Sequence, residues 1–191
     1  MSSHYYAMLF RMKYINRWSL MRNTNAENLS EHSLEVAFIA HALAVIENKR
    51  FAGNINVERA ALLAIFHDTA EIITGDLPTP IKYYNENIKS AYKEIERNAT
   101  EQLLSLIPED LREDFSSVYY EDDKDLKKIV KAADKLSALI KCTDELSLGN
   151  REFAVAEKST RELLQKSDLR SVNVFLEEFL PSFSLSLDEQ G

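Results

Sequence analysis

Apolar residues recur at helical spacing along almost the whole of this chain, and only four glycines and four prolines interrupt them. Four Gly in 191 residues is about 2%, against the ~7% usual in globular proteins, and a turn-rich β-barrel or sandwich needs more. Stretches that carry this period read as amphipathic or buried helices. Tyr5, Met8, Leu9 and Met12 share one face, and residues 16–27 then lose the pattern and read as a loop. Asn28-Leu-Ser-Glu31 has the form of a capping box opening a helix to about Asn48. Asn54 or Asn56 caps a helix expected to run to about Thr74, with Gly75 as its stop. Thr79 and Pro80 suit the N-cap and first turn of a long helix to about Leu106. A short helix follows Pro108, and Asp122 or Asp123 caps another that ends before Gly149. Asn150 and Asp168 cap two more, and Pro181 ends the last. No strand or internal repeat stands out. The expectation is all-α: about seven or eight helices in a single domain spanning 1–191, with 181–191 a loose tail.

The composition narrows function. Hydrophobic residues make up 45% and charged residues 28%, enough for a core without disulfides or structural metal. The one cysteine, Cys142, excludes an intramolecular disulfide and a multi-cysteine zinc site. The longest uninterrupted apolar run, Ala60 to Phe66, is far short of the ~18 residues of a membrane span. Arg11 and Lys13 stand where a signal peptide would need its apolar run, so a cytoplasmic protein with no membrane partner is expected. A net charge of −8 argues against a nucleic-acid polymer as partner, while a small phosphorylated substrate remains open.

Four histidines can be weighed one by one. His4 lies at the terminus and receives no role. His32 shares a helix face with Val36, Ile39 and Leu43, whereas His41, nine residues on, falls on the opposite side at ~100° per residue. His41, beside Leu34, Phe38 and Val45, reads as a core-edge histidine. His67 and Asp68 directly follow the apolar Ala60–Phe66 run, with Glu71 on the same face. Either the helix emerges into solvent there, or buried polar groups are paired or hold a metal. Asp134 has apolar neighbours at Val130 and Ala138, so a half-buried carboxylate that needs a cation stands beside the ordinary reading of a solvated face. That cation could be Lys131, Lys135 or a metal.

His32, His67-Asp68 and Asp134 together give the order H…HD…D, which resembles the HD-domain superfamily of metal-dependent phosphohydrolases. Two imidazoles and two carboxylates suit a divalent ion and leave positions for water and substrate. Asn16-Arg-Trp-Ser-Leu-Met-Arg22, Asn28-Leu-Ser-Glu-His-Ser33 and His67-Asp-Thr-Ala-Glu-Ile-Ile-Thr-Gly-Asp-Leu-Pro-Thr-Pro80 are similar to the bacterial 5′-deoxynucleotidase family within it. The resemblance extends over nearly the whole chain. It implies the compact helical HD-domain fold and hydrolysis of deoxyribonucleoside 5′-monophosphates to deoxynucleoside and phosphate, selecting against ribonucleotides. It also implies one divalent ion, Co2+ or Mn2+ foremost, held by His32, His67, Asp68 and Asp134, and a homodimer.

On this reading Arg17 supplies a guanidinium fork for the phosphate, although a lone loop arginine is more often a surface residue. Glu71 orients or deprotonates the water, or protonates the leaving 5′-oxygen. Asp68 serves as both ligand and substrate contact, and Asp134 also borders the substrate. Trp18 walls the sugar or plugs the core edge. Asp76, Leu77, Pro78 and Thr79 line the nucleoside side. Two alternatives stand beside this one: another HD phosphohydrolase (a triphosphohydrolase or phosphodiesterase), and a helical binding module whose site is vestigial. Polyphosphate substrates would ask for more cations than Arg17 and Lys82.

Overall fold

The computed structural model describes residues 2–191 except Tyr83, with the side chain of Thr79 also outside the description. Its helices are α1 (Tyr5–Leu9), α2 (Leu29–Phe51), α3 (Val57–Phe66), α4 (Glu71–Thr74), α5 (Thr79–Lys82), α6 (Glu86–Ser105), α7 (Arg112–Ser116), α8 (Lys124–Ser147), α9 (Ala154–Gln165) and α10 (Arg170–Val174). Short 3-10 and π turns extend several of them, including Phe10–Tyr14 after α1 and Phe175–Phe179 after α10. Among the described residues the β-structure is one isolated bridge, Asn16 to Asn28. The all-α expectation is met, with more and shorter helices than expected.

The extra helices come from two breaks. The helix expected to reach Thr74 ends at Phe66. The Thr69 hydroxyl donates to the Phe66 carbonyl at 2.9 Å, and the Glu71 amide donates to the Asp68 carbonyl at 2.9 Å. These local bonds replace the helical ladder, so His67 and Asp68 lie in a turn. The helix expected from Thr79 to Leu106 is broken before Asn85. That residue is extended (φ −156°, ψ 169°) and its side chain accepts the Ile88 amide, which makes it the cap of α6. Other caps fall where the sequence put them. Asn28 and Glu31 form the reciprocal box at α2, Asn56 accepts from the Arg59 amide, and Asp123 accepts from the amides of Asp125 and Leu126. Gly75 and Gly149 end α4 and α8 at φ 72° and 84°, a conformation that costs glycine little. Asp168 caps nothing and pairs instead with Lys128 at 2.9 Å, while Glu47 of α2 accepts the Ser171 amide at the start of α10. Pro181 stands at the start of a 3-10 turn, Leu180–Ser184, and a second turn, Leu187–Glu189, carries its own Ser186–Glu189 capping box, so the tail is locally ordered and exposed.

The residues form two compact units: 1–22, 26–33 and 66–121 in the first, and 23–25, 34–65 and 122–191 in the second. The first has two small apolar clusters. Tyr5 packs with Leu103, Leu104 and Ile107, and Met12 with Leu29 and Ile72. In the second, Val36, Ile39, Ala40 and Leu43 of α2 meet Leu63 of α3, Ile129, Leu136 and Leu139 of α8, and Val172. Truncating one such buried leucine to alanine typically costs about 2–5 kcal/mol. α2 is long and apolar enough, by length and composition, to cross a membrane, although its apolar residues do not form one uninterrupted run. More than half of its apolar window is buried inside the fold, where it forms part of the core. The opposite face of α2 is a correction. Leu34, Phe38 and His41 are exposed there, so His41 is not a core-edge residue.

Candidate metal and phosphate site

The first unit brings together most of the residues singled out above. His32 sits in the first turn of α2, fully buried, on the stripe shared with Val36 and Leu43. His67 and Asp68 are presented by the turn after α3. The His67 Nε2 lies 3.1 Å and the His32 Nε2 3.6 Å from Asp68 Oδ2, and the two imidazoles are 5.3 Å apart between ring centres. One ligand atom from each of the three residues falls within 4.8 Å of the others. Two imidazole nitrogens and one carboxylate oxygen at that spacing form a donor set matched to a borderline divalent cation. Burial pushes the Asp68 carboxyl up, but the neighbouring His67 and His32 outweigh it and hold it well below the ordinary carboxylate range. Asp68 is therefore ionised and ready to act as an oxygen donor.

Arg17 is no surface arginine. Its side chain is 12% exposed, and Nη1 donates to Asp68 Oδ2 at 3.4 Å. Glu71 is likewise not the wet end of a helix. It is 3% exposed, and its Oε1 accepts from Lys82 Nζ at 2.6 Å. Oε2 is buried with no protein hydrogen-bond partner among the described residues. Burial and the nearby Asp68 charge raise the Glu71 carboxyl to about 7, against the pull of Lys82. Lys82 in turn sits 4.9 Å from the centre of the Tyr92 ring, and the Glu71 charge pushes its ammonium up despite burial.

Trp18 is half-buried and adopts φ 57°, a left-handed conformation that costs a non-glycine residue roughly 1–3 kcal/mol. Its indole N–H donates to Glu27 Oε2 at 2.7 Å. Glu27, which the sequence reading missed, is 7% exposed and also lies 3.4 Å from His32 Nδ1 and 3.6 Å from Arg17 Nε. Burial raises its carboxyl, but His32, Arg17 and Trp18 together hold it below the ordinary value. A glutamate in a polar loop carries no sequence signal of burial, so only the fold reveals it.

Asp76, Leu77 and Pro78 lie half-buried in the loop between α4 and α5, and the Asp76 charge contributes to raising Glu71. The Thr79 side chain, expected to line the nucleoside, lies outside the described residues. Asp134 belongs to the second unit. It is half-buried on α8 and pairs with Lys135 at 3.1 Å, one of the two lysines expected as its partner.

The family described as 5′-deoxynucleotidase YfbR-like matches residues 4–183. The chain belongs to this family. It is 52% identical to a 5′-deoxynucleotidase of Vibrio vulnificus over 98% of this chain and 97% of the relative. A 5′-deoxynucleotidase of Pectobacterium atrosepticum is 51% identical over 98% and 95%. Among solved structures, an HD-domain phosphohydrolase from Listeria innocua matches with a TM-score of 0.82 at 25% identity, over 94% of this chain and 88% of that one. The cyanophage S-2L HD phosphohydrolase, whose structure holds dA and one catalytic Zn2+, shares the fold at a TM-score of 0.64 and 19% identity, over 93% and 95%. The helical HD fold and membership of the 5′-deoxynucleotidase family thus agree with the sequence reading.

Proposed function

We propose that this 5′-deoxynucleotidase hydrolyses deoxyribonucleoside 5′-monophosphates to deoxynucleoside and phosphate, using one divalent ion and selecting against ribonucleotides. The hydrolase class follows from family membership over nearly the whole chain. The observation that carries the site assignment is the convergence of His32, His67 and Asp68 with Arg17 directly beside Asp68. His32, His67 and Asp68 would hold the ion, and Asp134 is proposed as the fourth ligand. Its support is the H…HD…D order and a half-buried carboxylate. When bound, the ion supplies Lewis acidity, which neutralises charge on the phosphate oxygens and makes water a stronger acid.

The remaining roles belong to the chain's own side chains. Arg17 binds the phosphate as a planar fork, and its place beside Asp68 puts phosphate and ion together. Phosphoryl transfer depends mainly on such positioning and charge stabilisation. Glu71, its carboxyl raised to about 7 by burial and the Asp68 charge, can exchange a proton with the water or the leaving 5′-oxygen. Lys82 keeps that group partly ionised. Trp18 walls the sugar, helped by the stiff Asp76-Leu77-Pro78-Thr79 loop, and excludes a 2′-hydroxyl. An unpaired buried hydroxyl costs roughly 1–3 kcal/mol, about 5- to 160-fold in kcat/KM. Co2+ or Mn2+, a homodimer, a single domain and a cytoplasmic setting complete the proposal, supported by the family resemblance.

A triphosphohydrolase is disfavoured because Lys82, the second cation that a polyphosphate would draw on, is engaged by Glu71. The test is a phosphate-release screen of ribo- and deoxyribonucleoside mono-, di- and triphosphates with Co2+, Mn2+, Zn2+ and Mg2+. Orthophosphate from deoxymonophosphates supports the proposal. Pyrophosphate or tripolyphosphate assigns another HD reaction. No product, with melting unchanged by metal, assigns a binding module.

A further inference from the structure

One buried carboxylate touches three groups to which the proposed reaction gives three separate tasks. Glu27 Oε2 accepts the Trp18 indole N–H at 2.7 Å, while Oε1 faces His32 Nδ1 at 3.4 Å and Arg17 Nε at 3.6 Å. Glu27 is itself fixed by its main chain. Its carbonyl accepts the Arg17 amide at 2.9 Å, and the Leu29 amide donates to the Ile15 carbonyl at 3.0 Å, so residues 15–17 and 27–29 form a short antiparallel clamp. The carboxylate therefore projects from a rigid base rather than from a mobile loop.

We propose that Glu27 is a positioning residue that sets, with a single side chain, the His32 donor atom, the Arg17 fork and the Trp18 wall. The assignment rests on the reading of the site given above. For His32, the carboxylate charge 3.4 Å from Nδ1 favours a proton on that nitrogen, which turns Nε2, 3.6 Å from Asp68, towards the ion as the lone-pair donor. Such outer carboxylates typically change metal affinity by 10–100-fold. For Trp18, the bond at Nε1 holds a residue whose φ of 57° is otherwise unfavourable. For Arg17, the charge beside Nε orients the guanidinium, whose Nη1 meets Asp68.

Trp18 is the only tryptophan, so its fluorescence reports this contact without any substrate. The experiment compares the parent, Glu27→Gln and Glu27→Ala by tryptophan emission and anisotropy, and by direct titration with Co2+. The Gln variant keeps an oxygen for the indole N–H but loses the charge facing His32 and Arg17. Expected are near-parental fluorescence with about 10-fold or greater weakening of Co2+ binding in Glu27→Gln, and altered fluorescence with equal or greater weakening in Glu27→Ala. The dAMP:AMP ratio of kcat/KM should narrow only in the Ala variant. Co2+ affinity unchanged in both variants would overturn the proposal, as would identical emission and anisotropy in Glu27→Ala. If the parent binds Co2+ but hydrolyses no deoxynucleotide, the functional reading fails, while fluorescence and metal titration still decide the role of Glu27.

Discussion

Removing the Glu145 carboxylate should cost the second unit several kilocalories, because four donors converge on it. This side chain of α8 is fully buried. It accepts the Thr24 amide at 2.9 and 3.0 Å, the Asn25 amide at 3.1 Å, Asn150 Nδ2 at 2.7 Å and Lys141 Nζ at 2.5 Å. Glu145→Ala leaves the buried Lys141 ammonium with the Asn25 carbonyl at 2.5 Å as its remaining hydrogen-bond acceptor in this group. Breaking a buried ion pair on one side costs about 3–5 kcal/mol, and each unsatisfied buried donor about 1–3. These costs share one network and do not add. Thr24 and Asn25 are exposed residues whose amides can recover water. The expected loss is therefore about 4 kcal/mol, or roughly 8–16 °C in Tm for a chain of this size.

The pH dependence has a definite sign. Burial raises the Glu145 carboxyl, but Lys141, the Thr24 amide, Asn150 and the Asn25 amide outweigh it and hold it at about 2 against an ordinary 4.5. A carboxyl depressed by folding stabilises above its unfolded pKa and loses that contribution as pH falls through its folded value. The window thus runs from about 4.5 down to about 2, and the full contribution at neutral pH is about 3 kcal/mol. Differential scanning fluorimetry of parent, Glu145→Ala and Glu145→Gln from pH 7 to 2.5 reads both effects. The variants should melt lower at pH 7 and converge on the parent as pH falls. A Glu145→Ala protein melting within about 2 °C of the parent at pH 7, or an acid slope unchanged in Glu145→Gln, would refute the reasoning.

Other outcomes follow from the first unit. His67→Ala should lose metal and turnover together, read by metal analysis and phosphate release; full occupancy with full activity would place the ion elsewhere. Arg17→Ala should retain metal and fall in kcat/KM by a similar factor on purine and pyrimidine substrates, whereas a loss confined to purines would give Arg17 to the base. Lys82→Met removes the charge that opposes protonation of Glu71, so the limb of the pH–rate profile belonging to Glu71 should move to higher pH from about 7; a profile that does not move would detach Glu71 from that limb. Trp18→Ala should narrow the dAMP:AMP ratio through a relative gain on AMP, and an unchanged ratio in a folded, metal-loaded protein removes the indole from sugar selection.

Much of the secondary structure was legible locally because its signals are local. The capping box at Asn28, the Asp123 cap and the two positive-φ glycines are written in a few adjacent residues, and α2 and α8 follow from apolar period alone. The resemblance in motif and order also reached the ligand candidates His32, His67 and Asp68. What failed was the length of two helices. At Thr69 and Asn85 a side-chain or local backbone bond competes with a ladder that hydrophobic period alone predicts to continue. Burial of charge lay further from reach, since it depends on which distant groups arrive. Arg17 is buried because Asp68 and Glu27 meet it, and Glu71 because Lys82 comes back across the loop. Glu27 gave no signal, yet it joins the indole, the guanidinium and an imidazole. The sequence by itself determined where helices start and which residue types could bind a metal. The tertiary structure alone decided which charges leave water and with which partners, because desolvation and Coulomb energy depend on distances in space that sequence spacing does not encode.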